Sequence, residues 1–437
     1  MTECSRVEDL FPACKSRKIE TSFDGGAISS DGGALLLRQI DRQLGLTARI
    51  GRCLRDERVR GRSRHRVVEM IRQRVYGLAL GYEDLNDHDT LRHDVLLQTA
   101  TDRVEALASA STLSRFENRS DRAAALAISE ALVEQFVTSF KKAPSELILD
   151  FDATDDPVHG QQEGRFFHGY YDHYCFLPLY VFCGSQLLVS YLRPSNIDGA
   201  RHTWAILSLL VRRLRAEWPE VRIIFRGDSG FCRWRIMRWC DRHQVDYILG
   251  LAKNKRINEI ASPLLDEAER RFTATGEKQR LFKEAEYAAY SWDRARRVIM
   301  KAEHSSQGRN PRYVVTSLTG DAQALYDDIY VARGDMENRI KEQQLDLFSD
   351  RTSCHHWWAN QFRLLLSSIA YVLVERMRAL ALRRTELAKA QCGTIRLKLF
   401  KIGAVVTRNT RRVRIHLSSA YPHRELFELI AKRLAIE

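Results

Sequence analysis

The stretch Ile223–Arg233 has the sequence IIFRGDSGFCR, an apolar run that ends at Asp228 between two glycines. The apolar run predicts a buried strand, and Gly227 and Gly230 remove side-chain bulk on either side of the carboxylate. A carboxylate at the tip of a buried strand is costly unless it is paired or binds a cation. Two interpretations follow: Asp228 holds a divalent ion, or it caps a helix that begins near Phe231.

An earlier predicted strand also ends in acidic residues. In residues 147–156, LILDFDATDD, alternation places Asp150 and Asp152 on the same face of this strand. Both are candidates for a metal-binding carboxylate, and an Asx turn at Asp152 is the structural alternative. Asp155 and Asp156 are weaker candidates for the same position.

The elements around these two strands alternate in the manner of a mixed α/β sheet with helices on its faces. The segments FLPLYVF and LLVSYLR predict two more strands, and the helix RHTWAILSLLVRRLRAEW leads into the strand that ends at Asp228. A helix from about Arg233 to His243 then leads into the strand VDYILGLA. Three strands joined by tight turns, followed by alternating strand and helix, is the order of a ribonuclease-H-like core.

A chain of 437 residues is too long for one ordinary core, and its patterns divide it into five predicted segments. These are a helical N-terminal region (1–140), the first part of the mixed sheet (141–260), a β-containing insertion (261–325), a mainly helical segment that completes the sheet domain (326–389), and a basic hairpin followed by a C-terminal helix (390–437).

Positive charge exceeds negative charge, and the excess is concentrated near the end of the chain. Lys and Arg number 69 against 56 Asp and Glu, which gives a net charge of +13. Between Arg376 and Leu417 there are twelve Lys or Arg and one acid, Glu386, so 42 residues carry a net charge of +11. Such a patch predicts a polyanionic partner.

Several other classes of protein are disfavoured. The nine cysteines show no CxxC pair, which favours a reduced, cytoplasmic protein. Cys354-His355-His356 has no second ligand pair at zinc-site spacing, so we expect no structural zinc. The N-terminal MTECSRVEDLF lacks the apolar core of a secretory leader, and the longest apolar run, Leu364–Val374, is too short to span a membrane.

A late helix presents four functional side chains on one face. Tyr330, Arg333, Glu337 and Lys341 lie at i, i+3, i+7 and i+11. At about 100° per residue, all four fall within roughly 80° of arc. The alternative is an exposed ladder of salt bridges, which contributes a few tenths of a kcal/mol per pair.

Together these motifs resemble the DDE transposases of bacterial insertion sequences, in the group with a Tyr-Arg-Glu-Lys signature. The resemblance is carried by LDFDATDDPVHG, FRGDSGF and the Tyr330-x2-Arg333-x3-Glu337 helix, and by the N-terminal GYEDLNDHDTLRHD and LASASTLSRFENR. It covers nearly the whole chain and implies a metal-binding catalytic triad of Asp152, Asp228 and Glu337. Asp152 is favoured over Asp150 because the family feature is an Asp-x-Thr after the strand.

The resemblance also implies DNA contacts around the triad. Arg333 and Lys341 would clamp phosphates beside the scissile bond, and Tyr330 would meet a phosphate or a base. In the family signature lysine follows the glutamate after six residues, where this chain has Gln344, whereas Lys341 follows after three. Trp292, in the insertion, would stack on a flipped terminal base; a core tryptophan is the alternative.

The resemblance implies a DNA transposase that binds terminal inverted repeats, cleaves at the ends and joins the 3′-hydroxyls to target DNA by a cut-and-paste route. Two Mg²⁺ ions, which Mn²⁺ can replace, would activate the nucleophile and stabilise the leaving oxygen. Residues 1–140 and the basic segment would bind DNA, a homodimer would act on two ends, and the site of action would be the bacterial cytoplasm, in association with the nucleoid.

Two alternatives stay open at this level. One is a DNA-binding protein of transposase ancestry that no longer cleaves, although all three acids are present. The other is a nuclease on the same fold that hydrolyses DNA without strand transfer.

Overall fold

A computed structural model describes residues 11–59, 61 and 63–435 of the chain. Residues 1–10, on which part of the argument against a leader rests, lie outside the described residues. The chain divides into two compact units: one runs up to Arg119 and resumes at Ile369, and the other is Ser120–Ser368. The five predicted segments stay a prediction.

The second unit contains the predicted sheet and its helices. Its elements are α7 (Arg122–Val137), β2 (Glu146–Ala153), β3 (Asp156–Pro157), β4 (Phe166–His168), β5 (His173–Phe176), β6 (Leu179–Cys183), β7 (Gln186–Tyr191), α8 (Thr203–Glu217), β8 (Arg222–Gly227), α9 (Trp234–Arg242), β9 (Asp246–Leu251), α10 (Lys255–Thr275), β10 (Gln279–Tyr287), β11 (Arg296–Ser305), β12 (Gly308–Arg309), β13 (Arg312–Thr316), α11 (Ala322–Ala324), α12 (Gly334–Lys341) and α13 (Trp357–Leu380), which continues into the first unit.

The main sheet begins with the strand order β7–β6–β2–β8–β9. Strand β2 pairs in parallel with β8, which pairs in parallel with β9, whereas β6 and β7 are antiparallel to their neighbours. The register places Asp150 opposite Arg226 and Phe151 opposite Gly227. The predicted mixed α/β sheet is confirmed, and both acid-bearing strands lie side by side at its centre.

The connection from β2 to β6 differs from the tight turn that was expected. It contains β3, β4 and β5, which form a separate small antiparallel sheet in the order β3–β5–β4. These strands have two to four residues each, and the segment between Pro157 and Phe176 is rich in Gly, His and Tyr. Strands this short leave no alternating pattern for sequence reasoning to detect.

The segment predicted as an insertion extends the main sheet. Strand β13 pairs with the edge of β9, and β11 and β10 follow in antiparallel order. The segment was predicted to contain β-structure, and it holds β10, β11, β12 and β13. Helix α10 packs beside β10 and β11.

Alternation along the strands separates two apolar cores, one on each face of the sheet. Leu149, Phe151 and Phe225 contribute to the larger core. The opposite face carries Ile224 and Ile248, and the chain from Leu318 to Tyr326 packs on it. The late helical segment therefore lies on the face of β2 that also bears Asp150 and Asp152.

The first unit combines the N-terminal helices with the C-terminal part of the chain. Its elements are β1 (Ile28–Ser29), α1 (Ala34–Leu44), α2 (Leu46–Cys53), α3 (Val67–Leu80), α4 (Asp87–Leu91), α5 (Val95–Ala100), α6 (Ala110–Glu117), the end of α13, α14 (Cys392–Ile395), a π-helix (Arg396–Phe400), β14 (Ala404–Arg408), β15 (Val413–Leu417) and α15 (Arg424–Leu434). Strands β14 and β15 form the predicted hairpin, and β1 adds to its edge. In the described part of the chain, no helix has the length and apolarity that crossing a membrane requires.

Helix α3 is buried more completely than an amphipathic surface helix. Arg74 forms an ion pair of 2.7 Å with Glu117, and both side chains are almost fully buried. Arg72 lies 2.7 Å from Asp102. These two arginines therefore stabilise the unit internally and are not part of an exposed basic face.

Candidate active site

The late helical segment is not one regular α-helix. A π-helix covers Leu325–Tyr330, a 3₁₀ turn covers Val331–Arg333, α12 follows, and a second π-helix covers Glu342–Asp346. A constant rotation of about 100° per residue therefore does not apply across the predicted face. Interruptions of this kind are frequent at functional sites.

Arg333 connects the first predicted acid to the third. Its Nη1 lies 3.6 Å from Oδ2 of Asp152, and its Nη2 donates a hydrogen bond of 2.8 Å to Oε1 of Glu337. The side chains of Asp152 and Arg333 are only 15% and 19% exposed, whereas that of Glu337 is 46% exposed. Two acids from distant parts of the chain therefore meet at one guanidinium.

Asp228 lies at the end of β8, beside this pair. Its Oδ1 accepts a hydrogen bond of 2.8 Å from the Gly230 N–H, at a 3₁₀ turn over Ser229–Phe231. The capping interpretation is therefore correct for this oxygen. Although burial opposes it, the charges of neighbouring acids, Asp228 among them, raise the pKa of the Arg333 guanidinium. The carboxylate thus caps a turn and also acts on the shared cation.

Glycines near Asp228 make room for the protein's own side chains. A Cβ on Gly227 would lie 3.1 Å from the Phe231 side chain. A Cβ on Gly250, in β9, would lie 2.6 Å from Oη of Tyr330 and 2.8 Å from the backbone nitrogen after Asp228. Gly250 therefore allows the Tyr330 ring to lie against the backbone that carries Asp228.

Asp150 is engaged elsewhere. Its carboxylate binds Arg226 through both Nε and Nη2, the latter at 2.6 Å, and both side chains are buried. Arg226 also donates to the carbonyl oxygen of Ile329, which attaches the π-helix to the sheet. Asp150 is therefore held in a two-point ion pair, whereas Asp152 faces Arg333.

The grouped acids change the protonation of Asp152. Burial raises its pKa to about 7, and the nearby Asp228 and Glu337 carboxylates add to the rise while Arg333 opposes it. Burial likewise raises the pKa of Tyr330, with a further contribution from Asp228. Perturbed acids of this kind in one cleft are typical of functional sites.

Lys341 and Trp292 are not in this group of contacts. Lys341, at the end of α12, is exposed. Trp292 is half-buried against the larger core, its ring centroid lies 5.5 Å from that of Tyr287, and Arg296 lies over its face at 5.8 Å. The core alternative describes the packing of Trp292, and its contact with a base stays a prediction.

Contacts to Asp155 hold the loop that follows the first acid. Gln344 donates a hydrogen bond of 3.0 Å to the carbonyl oxygen of Asp155, and Nε2 of His173 lies 2.9 Å from the Asp155 carboxylate. Burial and the charges of Asp155 and Asp152 raise the pKa of Tyr171 to about 12. Gln344 occupies the position of the signature lysine. In this chain the side chain at that position forms a hydrogen bond with the loop after β2.

The donor set suits a hard divalent cation, because three carboxylates supply only oxygen ligands. Within the described residues, the group whose ligand atoms all lie within 4.8 Å of one another is Glu163, His355 and His356 instead. Sharing an ion would therefore require the triad side chains to move together and Arg333 to withdraw.

Two carboxylates therefore lie at neighbouring strand ends, a third acid lies on a packed helix, and an arginine lies among them. The family described as Transposase DDE domain group 1 matches residues 11–436, and the chain belongs to this family. The fold also resembles the piggyBac transposase in a synaptic complex with hairpin DNA, with a TM-score of 0.44 and 10% identity over 92% of this chain and 82% of that one. A comparison with curated proteins found no match.

Proposed function

We propose that this protein is a DNA transposase that binds the terminal inverted repeats of its insertion sequence, cleaves at their ends and joins the released 3′-hydroxyls to target DNA. The observation that carries the proposal is the meeting of Asp152 and Glu337 on Arg333, beside Asp228. Membership of the DDE transposase family supports the same reaction class.

The sheet supports a ribonuclease-H-like fold for the catalytic unit. Its strands follow the order β7–β6–β2–β8–β9, in which β6 is antiparallel to both of its neighbours and β8 and β9 are parallel to β2. This is the order expected from three successive strands followed by alternating helix and strand. The first two acids belong to the two central strands.

Asp152, Asp228 and Glu337 are the residues that would hold Mg²⁺, with Mn²⁺ as a substitute. Two such ions would activate the attacking hydroxyl and stabilise the leaving oxygen. The chain's own contribution is to bring Asp152 and Glu337 to one guanidinium beside Asp228 and to leave the Asp152 side chain only 15% exposed. Metal binding would convert Asp152 fully to its carboxylate form.

Arg333 has a second role once cations neutralise the acids. Its guanidinium would then be free to bind a phosphate next to the scissile bond in a two-point contact. Tyr330, fixed against the Asp228 backbone, and the exposed Lys341 would contact neighbouring phosphates. Trp292 remains the candidate for stacking on a terminal base.

DNA recognition outside the catalytic unit would fall to the helical N-terminal region and to the basic segment from Arg376 to Leu417. The exposed arginines of the β14–β15 hairpin, such as Arg411, Arg412 and Arg414, supply charge for phosphate contacts. Two ends must be processed together, so we propose a homodimer that acts on genomic DNA in the bacterial cytoplasm by a cut-and-paste route.

The decisive experiment incubates the purified protein with Mg²⁺ and a plasmid that carries the element's two ends. We expect excised element and joined products with the wild type, and DNA binding without cleavage with Asp228→Asn. Nicks or breaks without joining would favour a ribonuclease-H-like nuclease. Retention of DNA without any cleavage by the wild type would favour the non-cleaving binder, and equal activity of Asp228→Asn would overturn the assignment of the site.

A further inference from the structure

A second group of potential metal ligands lies outside the triad. Glu163, in the loop before β4, meets His355 and His356 just before α13, and their ligand atoms lie within 4.8 Å of one another. Nδ1 of His356 is 3.3 Å from Oε1 of Glu163, across a sequence separation of 193 residues. The sequence showed no distant ligand for the Cys354-His355-His356 motif. In the folded chain Glu163 lies beside the two histidines.

The backbone fixes this arrangement independently of any ion. The Glu163 N–H donates a hydrogen bond of 2.9 Å to the carbonyl oxygen of His355. In return, the Trp357 N–H donates one of 3.0 Å to Oε2 of Glu163. Gly164 has a φ of +77°, and a Cβ there would lie 2.6 Å from the Trp357 ring, so the two segments are in close contact. The carboxylate is therefore held beside the imidazoles before any ligand binds.

The chemistry of the three groups suits zinc. Two imidazoles and one carboxylate are a known zinc donor set, with water as the fourth ligand. Zinc–ligand bonds of about 2.0–2.1 Å in a tetrahedron place ligand atoms roughly 3.3–3.4 Å apart. The 3.3 Å between His356 and Glu163 already has this length. All three side chains are exposed, so His355 can rotate towards the others and water can complete the shell.

The charge of the site is also appropriate. Hydrogen bonds from the Trp357 N–H and from His356 hold the pKa of Glu163 below its ordinary value. The carboxylate is therefore ionised at neutral pH, as a metal ligand must be. A bound Zn²⁺ ion would replace the hydrogen bond between Glu163 and His356 with a stronger metal–carboxylate interaction.

We propose that Glu163, His355 and His356 bind one Zn²⁺ ion. The ion would fasten the loop that follows the first catalytic strand to the start of α13, and so restrain the small β3–β4–β5 sheet. The site does not depend on the proposed transposase activity, because its ligands are separate from Asp152, Asp228 and Glu337.

The test uses untagged, full-length protein with the Asp228→Asn substitution, which weakens competing binding at the triad. After treatment with a chelator and dialysis, Zn²⁺ is titrated by calorimetry at pH 7.5, and Co²⁺ is added separately to record the visible absorption of a tetrahedral site. We expect one tight Zn²⁺ per chain and a Co²⁺ band that Zn²⁺ displaces.

Three variants identify the ligands. His355→Ala, His356→Ala and Glu163→Gln should each weaken Zn²⁺ binding on the order of tenfold or more. Glu163→Gln retains an oxygen that can accept from the Trp357 N–H, so loss of binding there does not reflect loss of the fold. His416→Ala, which changes an exposed histidine of β15, should bind as the parent does.

A further variant combines His416→Ala with His355→Ala and His356→Ala and serves as the baseline. The proposal is overturned if the parent protein binds no more Zn²⁺ than this variant. It is also overturned if all three ligand variants bind Zn²⁺ as tightly as the parent. Failure of either kind would leave the plasmid cleavage experiment unaffected, so the two proposals are tested separately.

Discussion

Replacing Asp152 with asparagine should stabilise the metal-free protein while removing its activity. Asn has nearly the same shape and retains an oxygen that can accept the hydrogen bond of 2.9 Å from the Ala153 N–H. It carries no charge, so it avoids the repulsion from Asp228 and the cost of burying a carboxylate. Because the pKa of Asp152 is raised, the gain in the free energy of unfolding should increase with pH.

The folded chain binds a proton at Asp152 more tightly than the unfolded chain, because the pKa is about 7 in the first state and the ordinary 3.8 in the second. The Asp152 carboxyl therefore lowers the free energy of unfolding progressively as the pH rises from about 4 to about 7, and by a constant amount above that. The difference in pKa corresponds to at most about 4 kcal/mol. The difference in pKa already includes the attraction to Arg333. The Asn amide fits the site less well than a protonated carboxyl, so we expect a net gain of about 1–3 kcal/mol at pH 8.

The assay is thermal unfolding of wild type and Asp152→Asn in the presence of a chelator at pH 4.5 and pH 8. Each kcal/mol should shift the Tm by about 2–4 °C in a unit of this size. The variant should melt several degrees above the wild type at pH 8, and the two should nearly coincide at pH 4.5. Asp328→Asn, which removes an exposed acid from the same helical segment, controls for the loss of one charge.

Addition of Mg²⁺ should reverse the order. The wild type gains stability because the ion binds only the folded state, whereas Asp152→Asn has lost a ligand. The reasoning is refuted if Asp152→Asn is no more stable than the wild type at pH 8 with a chelator, or if its advantage is as large at pH 4.5.

Three further predictions concern the surroundings of the triad. Gly250→Ala places a methyl group within 2.6 Å of Tyr330, so we expect about 1–3 kcal/mol of destabilisation and at least a tenfold loss of cleavage rate, measured by denaturant unfolding and by plasmid cleavage. Arg226→Ala leaves Asp150 buried without its partner and should cost about 3–5 kcal/mol in denaturant unfolding; replacing both residues with apolar ones should recover most of it. Lys341→Ala should weaken binding to the element's ends and reduce the salt dependence of binding by about one phosphate contact, without changing the rate at which saturated complexes are cleaved.

Matched variants make these results interpretable. Gly199→Ala adds a methyl group where nothing lies within 4 Å and should leave activity unchanged. Lys255→Ala removes a lysine whose side chain is 92% exposed at the start of α10, and should not alter the salt dependence. A fully active Gly250→Ala would contradict the close contact with Tyr330, and a stable Arg226→Ala would contradict the importance of the ion pair with Asp150. An unchanged salt dependence in Lys341→Ala would contradict a phosphate contact by Lys341.

The central sheet and the placement of acids at the ends of two of its strands could be predicted because local chemistry specifies them. Alternation along LILDFDATDD and the apolar run before Asp228 both survive in the structure as β2 and β8. Sequence reasoning could not separate Asp150 from Asp152 on geometry, because both lie on one face of β2. The difference arises from Arg226, on the neighbouring strand, which pairs with Asp150.

Other features depend on packing that one sequence does not reveal. The π-helical and 3₁₀ turns around Arg333 follow from how the segment fits the sheet. Regular helical spacing therefore did not predict the backbone from Leu325 to Arg333. The burial of Arg74 depends on Glu117, 43 residues later in the chain, which pairs with it in the interior. The meeting of Glu163 with His355 requires the whole unit to fold first.

Iron-directed cleavage of the protein tests most directly whether Asp152, Asp228 and Glu337 hold metal ions together, as proposed. Fe²⁺ bound in place of Mg²⁺, with ascorbate and peroxide, cuts the backbone near its ligands. We predict cuts near Asp152, Asp228 and Glu337 together, all suppressed by excess Mg²⁺ and all lost in Asp228→Asn. Cuts at one of these positions alone, or cuts at the other two that persist in Asp228→Asn, would contradict the claim.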